Sequence, residues 1–344
     1  MRYLGGKCNL LKDIGNLIEQ SAEKVSRIID IFSGSGVVSS YFKSLGYEVI
    51  GNDALYFAYV LSRGSTALDA IPAFEGLNVG APLDYLNGLT LETSGLKLED
   101  CFVYQNYSPH EDVKRMYFQN DNAIKIDLIR LTVEKWKNSG LINKDEYFYL
   151  LAALISAVPY VSNITGVYGA YLKHWDKRTY NTLKLVNPIK MFGKGKADFY
   201  NLDCDSLLPR LSADLLYADP PYNARQYLPN YHILETIARY DYPQIHGVTG
   251  MRNYGETQKS AFCSKSKAEE AFKRLIQRAD VRYVVISYNS EGLLTKDQLS
   301  TVCMEFAVKD SFQCREIDYR RYNNAGTKKR NVRELLFFFE KVRP

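Results

Sequence analysis

The sequence is poor in the residues that build metal sites and disulfide frameworks. Its six cysteines include no C-x-x-C pair, and its four histidines are scattered over 344 residues. Structural zinc sites and disulfide-rich scaffolds require paired or closely spaced ligands, so neither class is indicated. We therefore predict that the protein binds no metal.

Long apolar runs are also missing. The longest, residues 148–161, is shorter than the roughly 20 residues that a membrane-spanning helix needs. The first residues, MRYLGGK, lack the apolar core of a secretory signal peptide. These absences predict a cytoplasmic protein, and a hydrophobic content of 46% predicts a sizeable globular core.

A glycine turn joins a strand to a helix near the start of the chain. Residues 25–32 form an apolar strand pattern, Ser33-Gly34-Ser35-Gly36 follow, and the apolar spacing after Val37 predicts a helix. A second strand, residues 47–51, ends at Asn52-Asp53. Glycines let a ligand approach the backbone closely, and an acid at the end of the second strand can bind ribose hydroxyls. The pattern predicts a nucleoside site.

Two common nucleotide motifs are absent. The turn lacks the third glycine of the dinucleotide fingerprint, and the chain contains no G-x-x-x-x-G-K-[ST] sequence. NAD and ATP are therefore disfavoured as ligands. A nicotinamide-dependent dehydrogenase is disfavoured for the same reason, because it would need to bind NAD. A nucleoside without a diphosphate fits the turn better.

A second rigid polar segment follows an apolar run at residues 215–218. Asp219-Pro220-Pro221-Tyr222 ends that run abruptly, and the two prolines exclude both a helix and continued strand pairing. The segment therefore predicts a buried parallel strand whose carboxyl end presents a carboxylate, a backbone carbonyl and an aromatic ring in a fixed arrangement.

The remaining pattern predicts a mixed α/β fold. Helices are predicted at residues 123–136, 146–158 and 231–240, and a further strand at Phe102–Tyr104. Strands are predicted at residues 197–203 and 282–288, with a terminal hairpin formed by residues 312–319 and 332–339.

Positive charge is concentrated in two segments. Residues 163–196 and 320–333 each carry a net charge of +6, so the rest of the chain carries −7 of a total of +5. Two basic segments on a mildly acidic body favour a polyanion such as nucleic acid. The first segment also contains Tyr168, Tyr171 and Trp175, which either stack on bases or pack inward under a surface loop. The candidate DNA contacts are Lys173, Lys177, Arg178, Arg252, Arg320 and Arg321.

Four motifs in this order resemble the Dam-like N6-adenine DNA methyltransferases of restriction-modification type. Tyr3-Leu-Gly-Gly-Lys7 resembles the family's N-terminal segment, and residues 30–36 resemble its F-x-G-x-G loop. Asn52-Asp53 resembles its ribose-binding acid, and residues 219–222 match its D-P-P-Y motif in full. The segment from Tyr319 to Leu336 is similar to its closing hairpin.

The resemblance implies S-adenosylmethionine as cofactor and a flipped-out adenine in double-stranded DNA as substrate. Asp219 and the Pro220 carbonyl would accept hydrogen bonds from the adenine amine, Pro221 would hold the turn, and Tyr222 would stack on the base. Asp53 would bind the ribose, and Asp203 is a candidate for the cofactor's adenine. The implied cofactor contacts are Tyr3, Gly6, Lys7, Asp30, Phe32, Gly34, Gly36, Asp53 and Asp203.

The implied fold is a Rossmann-like S-adenosylmethionine-dependent methyltransferase sheet with a mainly helical target-recognition insertion. Residues 1–54 and 196–344 would form the catalytic domain, and residues 55–195 the insertion. A separately acting cognate restriction endonuclease is an implied partner, in a bacterial or archaeal cytoplasm. Methylation of cytosine N4 or of RNA stays open, as does a non-catalytic DNA-binding protein on the same fold.

Overall fold

The computed structural model describes residues 6–191, 193–319 and 332–342. Its strands are β1 (Arg27–Asp30), β2 (Glu48–Asn52), β3 (Ala197–Tyr200), β4 (Leu215–Ala218), β5 (Ile245–His246), β6 (Met251–Arg252), β7 (Tyr283–Asn289), β8 (Gln313–Tyr319) and β9 (Val332–Glu340). Its helices are α1 (Leu11–Ser21), α2 (Val37–Ser44), α3 (Tyr56–Ser65), α4 (Pro82–Gly88), α5 (Leu91–Ser94), α6 (Phe102–Tyr107), α7 (Asn120–Asn138), α8 (Lys144–Ala157), α9 (Cys204–Leu207), α10 (Tyr227–Arg239), α11 (Ala268–Arg278) and α12 (Lys296–Met304).

Within the described residues, seven strands form one sheet in the order β3-β2-β1-β4-β7-β9-β8. The pairs from β3 to β7 are parallel, whereas β9 runs antiparallel to both of its neighbours. The chain leaves β1 in one direction towards β2 and returns on the other side as β4. The carboxyl ends of β1 and β4 therefore flank the switch point of an open α/β sheet, where ligands of such sheets bind.

Helices cover both faces of this sheet. Alternate strand residues point to opposite faces, so Ile29 and Leu216 belong to the core under α11 and α12, while Ile28 and Leu215 belong to the core under α1 and α2. Because both faces are covered, the central strand β4 carries no charged residue, and all four of its residues are buried.

A separate apolar core joins the helices between β2 and β3. It contains residues of α3, α6, α7 and α8 together with residues of α10, which follows β4. Helix α8 is buried around most of its circumference and packs against α3. The insertion is therefore mainly helical, and α10 links it to the sheet.

The structure confirms most of the predicted elements but not the strand at Phe102–Tyr104. These residues lie in helix α6, although aromatic and β-branched residues favour strands. The carboxylate of Asp127, on α7, accepts hydrogen bonds from the backbone amides of Val103 and Tyr104, both at 2.9 Å. That tertiary contact satisfies two free amides at the helix start and outweighs the local preference.

Two findings concern features that the sequence lacks. No helix in the described ranges is long and apolar enough to cross a membrane. Across the same three ranges, no group of three or more His, Cys, Asp or Glu side chains is arranged to hold a metal ion.

Candidate active site

A pocket lies at the switch point between β1 and β4. The backbone turn after β1 lines one side of it, and the residues after β4 line the other. The register of the two strands places Asp30 beside Tyr217, so both chains reach the pocket at the same level. The start of α10 and the segment around Ser260 complete the walls.

The glycine turn exposes its backbone to this pocket. Gly34 and Gly36 have φ values of 51° and 74°, which glycine adopts without the steric cost that other residues meet. A Cβ atom on Gly36 would lie 2.8 Å from Ser62 Oγ, so a larger residue would also collide with α3. Helix α2 begins immediately afterwards and directs free backbone amides towards the turn.

Asp53, which follows β2, joins the glycine turn after β1 to the segment before α3. One carboxylate oxygen accepts a hydrogen bond from Gly34 N at 2.9 Å and the other from Leu55 N at 2.8 Å. Burial raises the pKa of Asp53 to about 6, although these two amides lower it. Each carboxylate oxygen has a further lone pair, which can accept from a ribose hydroxyl. Asp53 therefore shapes the turn and can also bind a ligand.

Asp30, at the end of β1, is a buried carboxylate that is only partly hydrogen-bonded by the described residues. It is 1% exposed, and its Oδ2 accepts a 2.6 Å hydrogen bond from Ser39 Oγ. Its Oδ1 has no hydrogen-bond partner among the described residues. Burial raises the pKa of Asp30 to about 7, and the nearby Asp219 and Asp53 carboxylates add to the effect. Because unsatisfied buried polar atoms are rare, this oxygen indicates the place of a ligand's cationic or donor group.

Asp219, after β4, faces the pocket from the opposite side. Its Oδ1 lies 3.0 Å from Lys7 Nζ, which also lies 2.8 Å from Glu334 Oε1. Burial raises the pKa of Asp219 above its ordinary value, Lys7 opposes this shift, and Glu334 adds to it. A carboxylate and an adjacent backbone carbonyl at this edge can together hold both hydrogens of an amine.

Most of the residues predicted from the sequence meet in this pocket. The residues predicted to bind cofactor or amine that line it are Gly6, Lys7, Asp30, Phe32, Gly34, Asp53, Asp219 and Pro221. Gly36 and Pro220 adjoin lining residues, and Tyr222, like Phe32, packs against the core under α11 and α12. Tyr3 lies outside the described residues.

Asp203 stands apart from this group. It is exposed, does not line the pocket, and caps α9 by accepting a hydrogen bond from Ser206 N. The structure does not bring it to the other predicted cofactor contacts.

Two features of the pocket were missed in the sequence. The Gln226 amide donates to Ser260 O at 3.2 Å and accepts from Ser260 N at 2.8 Å, which joins the segment after Tyr222 to the segment before α11. No local pattern signals this contact. Glu334 did have a signal, because it is a charged residue at the start of an apolar strand, and such residues are rarely buried without a partner.

The predicted DNA contacts fall into four groups, of which the buried Arg252 is the last. Lys173 and Lys177 are exposed and make no ion pair with a described residue. Arg178 is half-buried, and its guanidinium donates twice to the Asp176 carboxylate, both at 3.1 Å. Arg320 and Arg321 lie outside the described residues.

Arg252 differs from its prediction as a DNA contact. It is 6% exposed, and its guanidinium donates to Asp241 at 2.6 and 3.2 Å and to Thr236 Oγ1 at 3.3 Å. It therefore fastens β6 to α10. The sequence concealed this because a basic residue in a polar loop resembles a solvent-exposed one.

The aromatic residues of the first basic segment mostly pack inward. Tyr168 is 1% exposed, and its hydroxyl lies 2.9 Å from Ser162 Oγ. Tyr171 packs edge-on against Tyr117, with ring centroids 5.0 Å apart. Of the two alternatives for these residues, inward packing under a surface loop is correct for both tyrosines.

The sheet order, the glycine turn and the pocket at the switch point define a Rossmann-like methyltransferase fold. A family model described as D12 class N6 adenine-specific DNA methyltransferase matches residues 3–302. The chain belongs to this family.

Relatives that align with nearly the whole of this chain are consistent with its membership of this family. The chain is 42% identical over 350 residues to the type II methyltransferase M.FokI of Planomicrobium okeanokoites, covering 99% of this chain and 53% of that protein. It is 36% identical over 349 residues to the modification methylase StsI of Streptococcus sanguinis, covering 99% and 52%. It is 36% identical over 354 residues to the type II methyltransferase M.NlaIII of Neisseria lactamica, covering 99% and 100%. The chain thus spans about half the length of the first two relatives.

Proposed function

We propose that this chain transfers a methyl group from S-adenosylmethionine to N6 of an adenine in double-stranded DNA. One observation carries the proposal: the Asp219-Pro220-Pro221 turn and the glycine turn line one pocket, so an amine and a nucleoside cofactor would meet there. Membership in the N6 adenine-specific family supports the same base.

The residues of the pocket suit S-adenosylmethionine chemically. The Gly34 backbone and Phe32 would receive the nucleoside, and Asp53 would accept from the ribose hydroxyls. The unpartnered oxygen of Asp30 would accept from the ammonium group. Bound there, S-adenosylmethionine supplies a methyl group on a positively charged sulfur.

The other side of the pocket would activate the adenine amine. The N6 lone pair is delocalised into the base, so the nitrogen is a weak nucleophile. The Asp219 carboxylate and the Pro220 carbonyl would each accept one N6 hydrogen, which favours a tetrahedral nitrogen with an available lone pair. Transfer leaves the nitrogen with an excess proton, which departs to solvent past the partly exposed Asp219 carboxylate.

The adenine must leave the duplex to reach this pocket. Extrusion costs about a few kcal/mol, and stacking on Tyr222 would recover part of it. In this proposal residues 1–54 and 196–344 carry the chemistry, and residues 55–195 recognise the target. Lys173 and Lys177 would contact phosphates. The site would act in a bacterial or archaeal cytoplasm beside a separate cognate endonuclease.

Incubation of the protein with plasmid DNA and S-adenosylmethionine tests this function. We expect N6-methyladenine within one short sequence context, read by methylation-sensitive sequencing and confirmed by mass spectrometry of nucleosides. Detection of N4-methylcytosine instead would identify cytosine as the target base, and methylation of RNA alone would identify RNA as the substrate. DNA binding without any binding of S-adenosylmethionine in a titration would instead indicate a non-catalytic DNA-binding protein.

A further inference from the structure

Three charged side chains from distant parts of the chain meet beneath the amine site. Lys7 precedes α1, Asp219 follows β4, and Glu334 lies in β9. Their side chains are 5%, 18% and 4% exposed, and the Lys7 ammonium lies within 3.0 Å of both carboxylates. The cluster carries one positive and two negative charges, and only its Asp219 side chain is partly exposed.

Glu334 is held firmly in this cluster. Ser287 Oγ, on β7, donates a 2.8 Å hydrogen bond to the same Glu334 oxygen that faces Lys7. Burial alone would lower the pKa of Lys7, but Asp219 and Glu334 together raise it, so the ammonium is charged. Without Glu334, Asp219 would be left as the carboxylate partner of this buried ammonium among the described residues.

Glu334 affects both the capacity of Asp219 to accept hydrogen bonds from a substrate and the net charge of the cluster. Lys7 divides its hydrogen bonds between two carboxylates, so Asp219 keeps acceptor capacity for an amine. The second carboxylate also gives the cluster a net charge of −1, which complements the positive charge that a methylated amine nitrogen acquires. Neither effect requires Glu334 to touch substrate.

We propose that Glu334 is a positioning residue for methyl transfer, acting through Lys7 to orient the Asp219 carboxylate and to keep it available as an acceptor. This inference rests on the proposed function, because it assigns a role within that reaction. Lys7, Asp219 and Glu334 belong to three separate segments of the sequence, and only the tertiary structure brings them into contact.

The charge of Glu334 also affects the titration of Asp219. Burial raises the pKa of Asp219, Lys7 lowers it, and Glu334 raises it. Removing the negative charge of Glu334 therefore lowers the pKa of Asp219 and extends its ionised form to lower pH. The charged and titratable groups that interact with Asp219 are Lys7, Glu334, Asp30, Tyr217 and Tyr227.

The test compares the wild type with Glu334→Gln and Glu334→Asp in single-turnover methyl transfer to duplex DNA at saturating S-adenosylmethionine. For Glu334→Gln we expect a rate loss on the order of 100-fold, as for small misplacements of catalytic groups, with cofactor affinity within about threefold of the wild type. The acidic limb of its pH-rate profile should move to lower pH. Glu334→Asp should leave that limb in place, since it keeps the charge.

Glu340→Gln is the matched control. Glu340 lies on the same strand and pairs with Arg282 at 2.9 Å, so this substitution also removes a paired carboxylate from β9 but leaves the pocket intact. Its rate should match that of the wild type. Thermal unfolding of every variant shows whether it is folded. Ser287→Ala, which removes the other bond to Glu334 but keeps its charge, should give a smaller rate loss and leave the acidic limb in place.

Two results would overturn this inference while leaving the proposed function intact. One is a wild-type rate in Glu334→Gln, and the other is a rate loss with an unmoved acidic limb, which would indicate a merely structural role. If Glu334→Gln does not fold, a wild-type rate in Ser287→Ala and Glu334→Asp counts equally against it. A folded wild type that methylates no DNA would refute the proposed function, and this inference with it.

Discussion

Two buried carboxylates show how differently charge is used in the two halves of the molecule, which are the sheet with its covering helices and the helical insertion between β2 and β3. Asp30 lies at the end of β1 and Asp127 in the middle of α7, and burial raises the pKa of each to about 7. Asp127 accepts hydrogen bonds from Val103 N, Tyr104 N and Tyr240 OH, so both its oxygens are satisfied. One oxygen of Asp30 has no hydrogen-bond partner within the described ranges. The same pKa shift therefore accompanies a helix cap in one half and a candidate ligand contact in the other.

The contrast extends to the rest of each half. At the sheet, charged groups such as Lys7 and Asp219 are inside and face a pocket. In the helical insertion, charged groups inside are bonded to backbone, as Arg130 is to the carbonyls that end α10, and the unpaired charges lie outside. A perturbed pKa indicates a functional site more strongly when the group also has a buried acceptor atom with no hydrogen-bond partner, because structural networks perturb pKa values too. Substitutions should consequently have different effects in the two halves.

The largest effect is expected at Asp219. Asp219→Ala removes an acceptor for the amine and should lower the methyl-transfer rate on the order of 1,000-fold while largely sparing cofactor binding. Transfer of radiolabelled methyl groups measures the rate, and calorimetric titration measures cofactor affinity. Asp214→Ala, which removes a carboxylate from the opposite end of the same strand, should retain the rate per folded molecule. Comparable turnover in the two variants would contradict the assignment.

A smaller loss is expected for Asp30→Asn. The variant removes one charged acceptor of the ammonium group, which is worth about 1.5–3 kcal/mol, so cofactor affinity near pH 7 should fall roughly 10- to 100-fold. In the wild type, affinity should rise on the order of tenfold between pH 5.5 and 7 as Asp30 ionises. The variant should lose most of that dependence. An equally steep pH dependence in the variant would exclude Asp30 as its source.

Asp30→Asn should also change the stability of the cofactor-free protein. Because the folded-state pKa of about 7 lies above the ordinary value of 3.8, the contribution of Asp30 is full below about pH 4 and is lost as the pH rises through 7. The melting temperature of the variant relative to the wild type should therefore be higher at pH 8 than at pH 5. An identical difference at both pH values would indicate that Asp30 already has a partner.

Asp127→Asn should affect folding rather than chemistry. An amide offers one acceptor oxygen where the carboxylate offers two, so one amide at the start of α6 is left without its bond, at a cost of about 1–3 kcal/mol. Denaturant unfolding should show that loss, while cofactor affinity per folded molecule stays unchanged. A selective loss of cofactor binding would break the comparison between the two halves.

The smallest effect is expected on the surface of the insertion. Lys173→Gln combined with Lys177→Gln should weaken DNA binding about tenfold and make its salt dependence shallower by roughly 1.8, because each phosphate contact contributes about 0.9. Fluorescence anisotropy at several salt concentrations measures both. Lys24→Gln with Lys309→Gln is the matched control, since these exposed lysines lie at the edge where the parallel strands begin. Equal salt slopes in the two double variants would exclude the proposed contact.

The local units of the site could be predicted from the sequence. The turn at Gly34 and Gly36, the acid at Asp53 and the rigid segment after β4 are specified by residues a few positions apart, through backbone sterics and the spacing of apolar residues. The same local rules identified all of the sheet's strands. They failed at Phe102–Tyr104, where a carboxylate from another helix decides the conformation.

The sequence by itself determined which residues form the glycine turn after β1, the rigid segment after β4 and a covered parallel sheet, because those features depend on neighbours along the chain. Only the tertiary structure decided how charge is distributed. It buried Arg252, joined Lys7, Asp219 and Glu334, and left one oxygen of Asp30 without a hydrogen-bond partner in the part of the chain that the structure describes. Burial and ion pairing depend on which segments pack together. The sequence carries no pattern for that packing, whether the partners are close along the chain, as Asp241 and Arg252 are, or far apart, as Lys7 and Asp219 are.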